Sequence, residues 1–302
     1  MRKAFLLMSL AIAALPGAAP GQDRKPMAEA ADKTPRASVV VAPYRYDDLL
    51  WENDRTAHRI YGRPLETKEP PSSSGIDAWG KNVRYPFMER QLQTGDQHGF
   101  HGEGLDFYNV GTARGAGGLG IWHDNKLWAS RNYRAVRILK NGPDVARFEV
   151  DYAPWPVDVV RKVWETRRFS LPMGTNFTRM TSTLQSDKPD PLTVAIGLAR
   201  LPHAGAKPGT FTADVARGIF TWWGPADAEQ GVMGLALLID PKTIERVGQD
   251  SSDHLVLVRQ TPGKPFVYYM GATWSKSPDF QTRKAWEAYV RAAKPDFDPS
   301  RD

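Results

Sequence analysis

The chain of 302 residues contains no cysteine. That absence excludes a disulfide framework, a thiolate metal site and a cysteine nucleophile. Stability must then come from a packed core, which a chain of this length can build because the buried share of its surface rises with size. No uncharged apolar run reaches the roughly 20 residues that a membrane-crossing helix needs. Dense Lys/Arg tracts and recognisable nucleic-acid modules are lacking too, so nucleic acid is not an expected partner. There is no Gly-x-Ser-x-Gly nucleophile elbow. The glycine-rich stretch from Gly111 to Gly120 lacks the Lys-Ser/Thr ending of a phosphate-binding loop, and no helical pattern follows it. It reads as a flexible turn, with Arg114 a candidate carboxylate ligand.

What is present begins with a targeting pattern. Arg2 and Lys3 precede an uncharged run from Ala4 to Leu15, then Pro16 and small residues. Charge, short apolar core and small residues in that order predict a secretory signal peptide over residues 1–21. The expected location is periplasmic or secreted, with no membrane insertion after cleavage. The formal charge is +6 for the whole chain, and losing Arg2 and Lys3 leaves +4. A mild excess of that sign favours anionic partners, and outside the cytoplasm an acidic oligosaccharide or polysaccharide fits best.

Residues 22–36 are polar and proline-containing and predict a disordered linker. Residues 37–302 predict a single β domain. Ser38–Pro43 is rich in β-branched residues. Gly120–Trp128 folds back around a polar turn. Arg134–Leu139 and Ala146–Tyr152 flank Asn141-Gly142, a pair suited to a two-residue hairpin turn. Further strands are expected at Arg161–Leu171, Thr178–Leu184, Leu192–Ala199, Gly218–Trp223, Gly231–Ile239, Leu255–Gln260 and Phe266–Gly271. Their short spacing predicts a mostly β, antiparallel sandwich. One helix is expected near the C-terminus, with Ser277 as N-cap, Pro278 in the first turn and an apolar stripe of Phe280, Trp286, Tyr289, Val290 and Ala293.

Two segments are dense in chemistry-bearing side chains. Trp51-Glu-Asn-Asp-Arg55, with His58 and Arg59 following, offers an indole face for a sugar ring and Asn53, Arg55 and Arg59 for hydroxyls and a carboxylate. A structural salt-bridge cluster is the competing explanation. Asp96-Gln-His-Gly-Phe-His-Gly-Glu-Gly-Leu-Asp-Phe-Tyr108 packs histidines, carboxylates and a tyrosine among glycines. His98 or His101 is a candidate general base, because imidazoles as a class titrate near neutrality. Glu103 and Tyr108 complete the candidate catalytic set, with Tyr108 as acid and Asp106 as a substrate ligand. Here the competing explanation is a glycine-rich loop whose histidines cap backbone groups. No cofactor is expected. A divalent metal on His98, His101 and Glu103, or calcium on Asp96, Glu103 or Asp106, remains the alternative at this spacing.

Taken together, Trp51-Glu-Asn-Asp-Arg55, Arg59-Ile-Tyr-Gly62, His101-Gly-Glu-Gly-Leu-Asp-Phe-Tyr108 and Gly117-Gly-x-Gly-Ile-Trp122 resemble an uncharacterised family of exported bacterial proteins, a domain of unknown function. The resemblance runs from about Val39 to the C-terminus. It implies a place near genes for polysaccharide degradation, some members being joined to hydrolases of unsaturated uronyl sugars. By residue type and size the chain also resembles the galactose-mutarotase-like supersandwich. The family resemblance implies a role in the breakdown of uronate-containing glycans, and the acid–base groups of the two dense segments point to an enzyme acting on uronic-acid-containing oligosaccharides by lyase or epimerase-type proton transfer. The alternatives are a glycoside hydrolase pairing Glu52 or Asp54 with Glu103 or Asp106, and a non-catalytic carbohydrate-binding protein.

Overall fold

The computed structural model describes residues 32–201 and 205–301. The expected signal peptide and most of the expected linker lie outside the described residues. In chain order the strands are β1 (Ser38–Ala42), β2 (Asp48–Glu52), β3 (Ala57–Ile60), β4 (Asp77–Lys81), β5 (Gly104–Leu105), β6 (Ala116–His123), β7 (Lys126–Trp128), β8 (Ala135–Asn141) and β9 (Val145–Val157). They continue with β10 (Arg161–Pro172), β11 (Phe177–Ser186), β12 (Leu192–Ala199), β13 (Thr210–Asp214), β14 (Ile219–Trp223), β15 (Met233–Ile239), β16 (Ile244–Gln249), β17 (Asp253–Gln260) and β18 (Pro265–Trp274). The helices are α1 (Leu65–Lys68), α2 (Met88–Gln93) and α3 (Arg283–Ala292).

The fold is mostly β. Its sheets run β1-β2-β3-β4-β5, β13-β14-β15-β18-β11-β10-β9-β8 and β16-β17-β12-β6-β7. Every pairing between these strands is antiparallel. An isolated parallel bridge links Ile76, just before β4, to Gly115, just before β6. One apolar core holds all three sheets: Trp51 and Ile60 from the first, Phe148, Phe169 and Met270 from the second, Ile121, Ile196 and Val256 from the third. Gly117 shows how closely the layers approach. At its φ of +115 a side chain is strained, and a Cβ there would stand 2.9 Å from Met270 Cβ.

Alternation in β10 is plain. Val163, Glu165, Arg167, Phe169 and Leu171 point inward, and their neighbours point out. The charged pair is tolerated because Arg167 Nε meets Glu165 Oε1 at 2.6 Å and Ser182 Oγ donates to the same oxygen at 2.7 Å.

Two local expectations need correction. The β8–β9 turn does not centre on Asn141-Gly142. Asn141 ends β8 opposite Ala146, and the chain reverses over residues 142–145. Pro143 has no N–H to give a ladder, so pairing stops before it. Only Gly142 takes positive φ, and the Asn141 side chain instead accepts from Val39 N at 3.0 Å. The C-terminal helix starts later than expected. Thr282, not Ser277, is its N-cap, accepting from Ala285 N at 3.3 Å. Of the expected stripe, Trp286, Tyr289 and Val290 lie on the helix, while Phe280 precedes it and Ala293 caps its end; all five pack with Phe177, Ile219 and Leu238.

Candidate functional site

The period of two in β2, β3 and β4 sorts the first dense segment onto two faces. Leu49, Trp51, Ile60 and Ala78 face the core. Cross-strand register puts Leu50 beside Arg59, Glu52 beside Ala57 and Arg59 beside Asp77 on the other face. That face is covered by α2 and by the second dense segment. Arg59 therefore lies buried between the two segments. Its Nη2 is 2.7 Å from Asp77 Oδ2 and 2.9 Å from Asp106 Oδ2, and Nη1 is 3.6 Å from Asp48 Oδ2. The guanidinium also stacks on the rings of Tyr61 and Trp79, 5.1 Å from each centroid.

One buried guanidinium cannot satisfy three buried carboxylates. Burial pushes Asp77 up to about 7 and Asp48 up to about 6, against the opposing pull of Arg59. Asp106 is raised by the same cause. The Asp48 carboxyl has no side-chain hydrogen-bond donor among the described residues, and the Gly62 N–H and the Arg59 charge only partly offset its burial.

A cavity of about 520 Å³ opens over this cluster. Arg59, Asp106, Tyr61 and Tyr108 line it together with Arg45, Glu69, Ser72, Gln97, His98, Phe107, Asn109 and Gln230. His98 is 71% exposed, and its Nδ1 lies 2.8 Å from the Asp106 carbonyl and 3.8 Å from Asp106 Oδ2. Gln91 fixes the loop beneath it by donating to the carbonyls of Gln97 and Gly99 at 2.8 and 3.1 Å. Tyr108 is buried, its hydroxyl without a side-chain partner among the described residues, and burial raises its phenol well above the ordinary range. Arg45 gives Nη2 to Glu69 at 2.7 Å, but its Nη1 has no partner among the described residues.

Of the residues expected to form the site, Arg59, His98, Asp106 and Tyr108 thus converge on one cavity. The rest are placed elsewhere. Trp51 is fully buried against Phe148 and Phe169, with Nε1 donating to Thr178 at 3.0 Å, so no sugar can reach its face. Asn53 closes the β2–β3 hairpin. Its amide donates to the carbonyls of Pro172 and Thr175 at 2.6 and 2.8 Å, and its Oδ1 accepts from Arg55 N and Thr56 N. Arg55 sits in that turn, 3.8 Å from Asp54, at the end of the hairpin remote from Arg59. Arg114 is an interior strut bonded to Ser73, Ser74 and the carbonyls of Thr112 and Leu119. His101 pairs with Asp96, and Glu103 with Arg90 at 2.9 Å; neither lines the cavity.

The expected hydrolytic pair is not assembled either. Glu52 is clamped by Lys81 Nζ at 2.7 Å and by the backbone N–H groups of Phe87 and Met88 at the start of α2. Asp54 accepts from Gly174 N at 2.7 Å. Among the described residues no three His, Asp or Glu side chains are grouped to hold a metal ion.

Sequence reasoning missed Asp48, Asp77, Arg45, Gln97 and Gln230. The one available signal was Asp77, Trp79 and Lys81 on alternate positions of a buried strand, where charged groups need partners.

The family described as "Domain of unknown function (DUF4861)" matches residues 17–298. The chain belongs to that family. An "Uncharacterized protein P7" of Formosa agariphila is 30% identical over 266 residues, an alignment covering 82% of this DUF4861 chain. The chain spans only 65% of that relative's length. Among solved structures, the GH36 α-galactosidase AgaB of Geobacillus stearothermophilus matches with a TM-score of 0.39 at 9% identity, over 78% of this chain and 41% of that one. The 4-α-glucanotransferase of Thermococcus litoralis gives 0.35 at 8%, over 80% and 41%. Neither likeness bears on the residues of the DUF4861 cleft. No helix among the described residues is long and apolar enough to cross a membrane.

Proposed function

We propose that this protein is an exported carbohydrate-active enzyme that binds a uronic-acid-containing oligosaccharide in the Arg59–Asp106 cleft and moves a proton on it. The observation that carries the reading is the junction of His98 and Asp106. An accessible imidazole and a carboxyl with raised proton affinity meet, 3.8 Å apart, in the lining of a cavity of about 520 Å³. Proton transfer needs a base and an acid within reach of one substrate. Ser72, Gln97, Asn109 and Gln230 supply hydroxyl partners, and Phe107 supplies apolar surface for a ring.

Arg59 is not the carboxylate ligand, because three aspartates already engage it. Arg45, which lines the cavity and pairs with Glu69, would take that role. In a lyase step His98 would take the proton beside the substrate carboxylate while Arg45 offsets the developing charge. The electron pair forms a carbon–carbon double bond and expels the glycosidic oxygen, which takes a proton from Tyr108 or Asp106. In epimerisation the proton would return on the opposite face instead.

Purified protein incubated with pectic and other uronate oligosaccharides tests the reading. Growth of the ultraviolet absorbance of unsaturated uronates supports elimination, and exchange of stereoisomers seen by NMR supports epimerisation. Calorimetric binding with neither product would leave a carbohydrate-binding protein. Absence of binding to every uronate overturns the proposal.

A further inference from the structure

The cleft does not stop at Phe107. A smaller cavity of about 240 Å³ adjoins the first, and the two share Phe107 and Gln230 among their lining residues. Its remaining walls include Trp222, Met233, Ala226 and Lys207. Small-molecule sites usually span about 300–1,000 Å³. The larger cavity falls within that range and the smaller one below it, so the smaller one makes better sense as an extension than as a separate site.

The ridge between them is held in place. Phe107 packs 6.1 Å from the Trp274 ring, and Trp274 Nε1 donates to the Gln230 carbonyl at 2.8 Å. Gln230 N donates to Asp227 Oδ1 at 2.7 Å. The backbone of Gln230 is thus anchored twice, whereas its side-chain amide makes no hydrogen bond among the described residues.

We propose that the two cavities are adjoining subsites of one cleft, and that the ligand is an oligosaccharide laid across Phe107 and Gln230 rather than a single sugar. The inference rests on the sugar-binding reading above. A free carboxamide donates and accepts at once, so it suits hydroxyls of two successive rings. Phe107 offers a rigid apolar surface beneath the link between them. Lys207 adds a cation at the far subsite, as an acidic repeat requires.

Calorimetric titration of the full chain with galacturonate, glucuronate and galactose, each as mono-, di- and trisaccharide, reads the second subsite. The expected result is that a di- or trisaccharide binds about tenfold more tightly than its monosaccharide, as one or two added hydrogen bonds would give. Ala226→Trp, in an exposed loop, fills the smaller cavity and should bring the longer ligand down to the affinity of the monosaccharide. Gln230→Ala should weaken the longer ligand by about fivefold. Equal affinity at every length, or unchanged affinity in both variants, overturns the subsite and leaves the sugar-binding reading standing. No heat with any sugar overturns both.

Discussion

Asp77 and Asp106 approach the same nitrogen, Nη2 of Arg59, at 2.7 and 2.9 Å. Asp77 begins β4 and Asp106 follows β5, and the guanidinium between them offsets the charge of both. With Asp48 beside Nη1 the cluster holds more acid than base. Arg59 joins the wall of the first sheet to the cleft loop, and it leaves excess proton affinity at the cleft floor.

That excess sets a pH dependence with an unusual sign. The folded values of about 7 for Asp77 and about 6 for Asp48 exceed the ordinary 3.8, so the native state holds protons that the unfolded chain releases. By linkage, stability falls as pH rises between 3.8 and about 7. Carboxylates with lowered values behave in the opposite way. Melting temperature should therefore decline across this window, and Asp77→Asn should flatten the decline. An unchanged slope in the variant would reject the assignment.

Arg59→Leu removes the one buried cation serving three buried carboxylates. Losing one partner of a buried ion pair costs about 3–5 kcal/mol, and urea unfolding should show a loss of this size. A loss below about 1 kcal/mol would mean that the cluster is far wetter than its burial implies.

Trp51 separates the structural reading of its segment from a ligand-binding one. Trp51→Ala should cost about 3–5 kcal/mol through the cavity it opens among Phe148, Phe169 and His58. Trp51→Phe should fold with a smaller loss and retain sugar affinity by calorimetry. Weaker binding in that folded variant would restore the indole to the site.

The two histidines of the cleft loop should behave differently. His98→Ala is expected to lower turnover on uronate oligosaccharides by about 100-fold, the lower range for a positioned acid–base group. His101→Ala, whose imidazole is tied to Asp96 outside the cavity, should keep activity within about twofold. The reverse order would move the base to His101.

Arg45→Ala should weaken an acidic sugar by about tenfold or more while leaving its neutral counterpart unaffected. Its ion pair with Glu69, a half-exposed carboxylate, contributes about 0–1 kcal/mol, so the melting temperature should barely move. Equal weakening of both sugars would place the carboxylate elsewhere.

Several features were legible in the residues because they depend on local chemistry. Alternation in β9 and β10, the β-branched run of β1 and the apolar stripe of α3 each reflect a periodicity that the backbone imposes wherever one face is buried. The glycine-rich segment with His98, Asp106 and Tyr108 was identifiable for a similar reason, since clustered polar groups with glycines mark a loop able to meet a ligand. Which of its members face the cleft was not legible. His98 and His101 are three positions apart in similar local sequence, and the folded loop gives His98 the Asp106 carbonyl and His101 the Asp96 group as partners.

The sequence by itself determined an antiparallel β protein without disulfide support, a C-terminal helix and two segments dense in acid–base groups, because composition and periodicity act residue by residue. Only the tertiary structure decided that Trp51 and Asn53 are structural, that Arg59 is bound by aspartates far apart in the chain, and that Arg45 lines the cleft. The physical reason is that burial and partner choice depend on cross-strand register. A shift of one residue sends a side chain to the opposite face, and no local pattern around Arg59 names Asp77 or Asp106 as its partner.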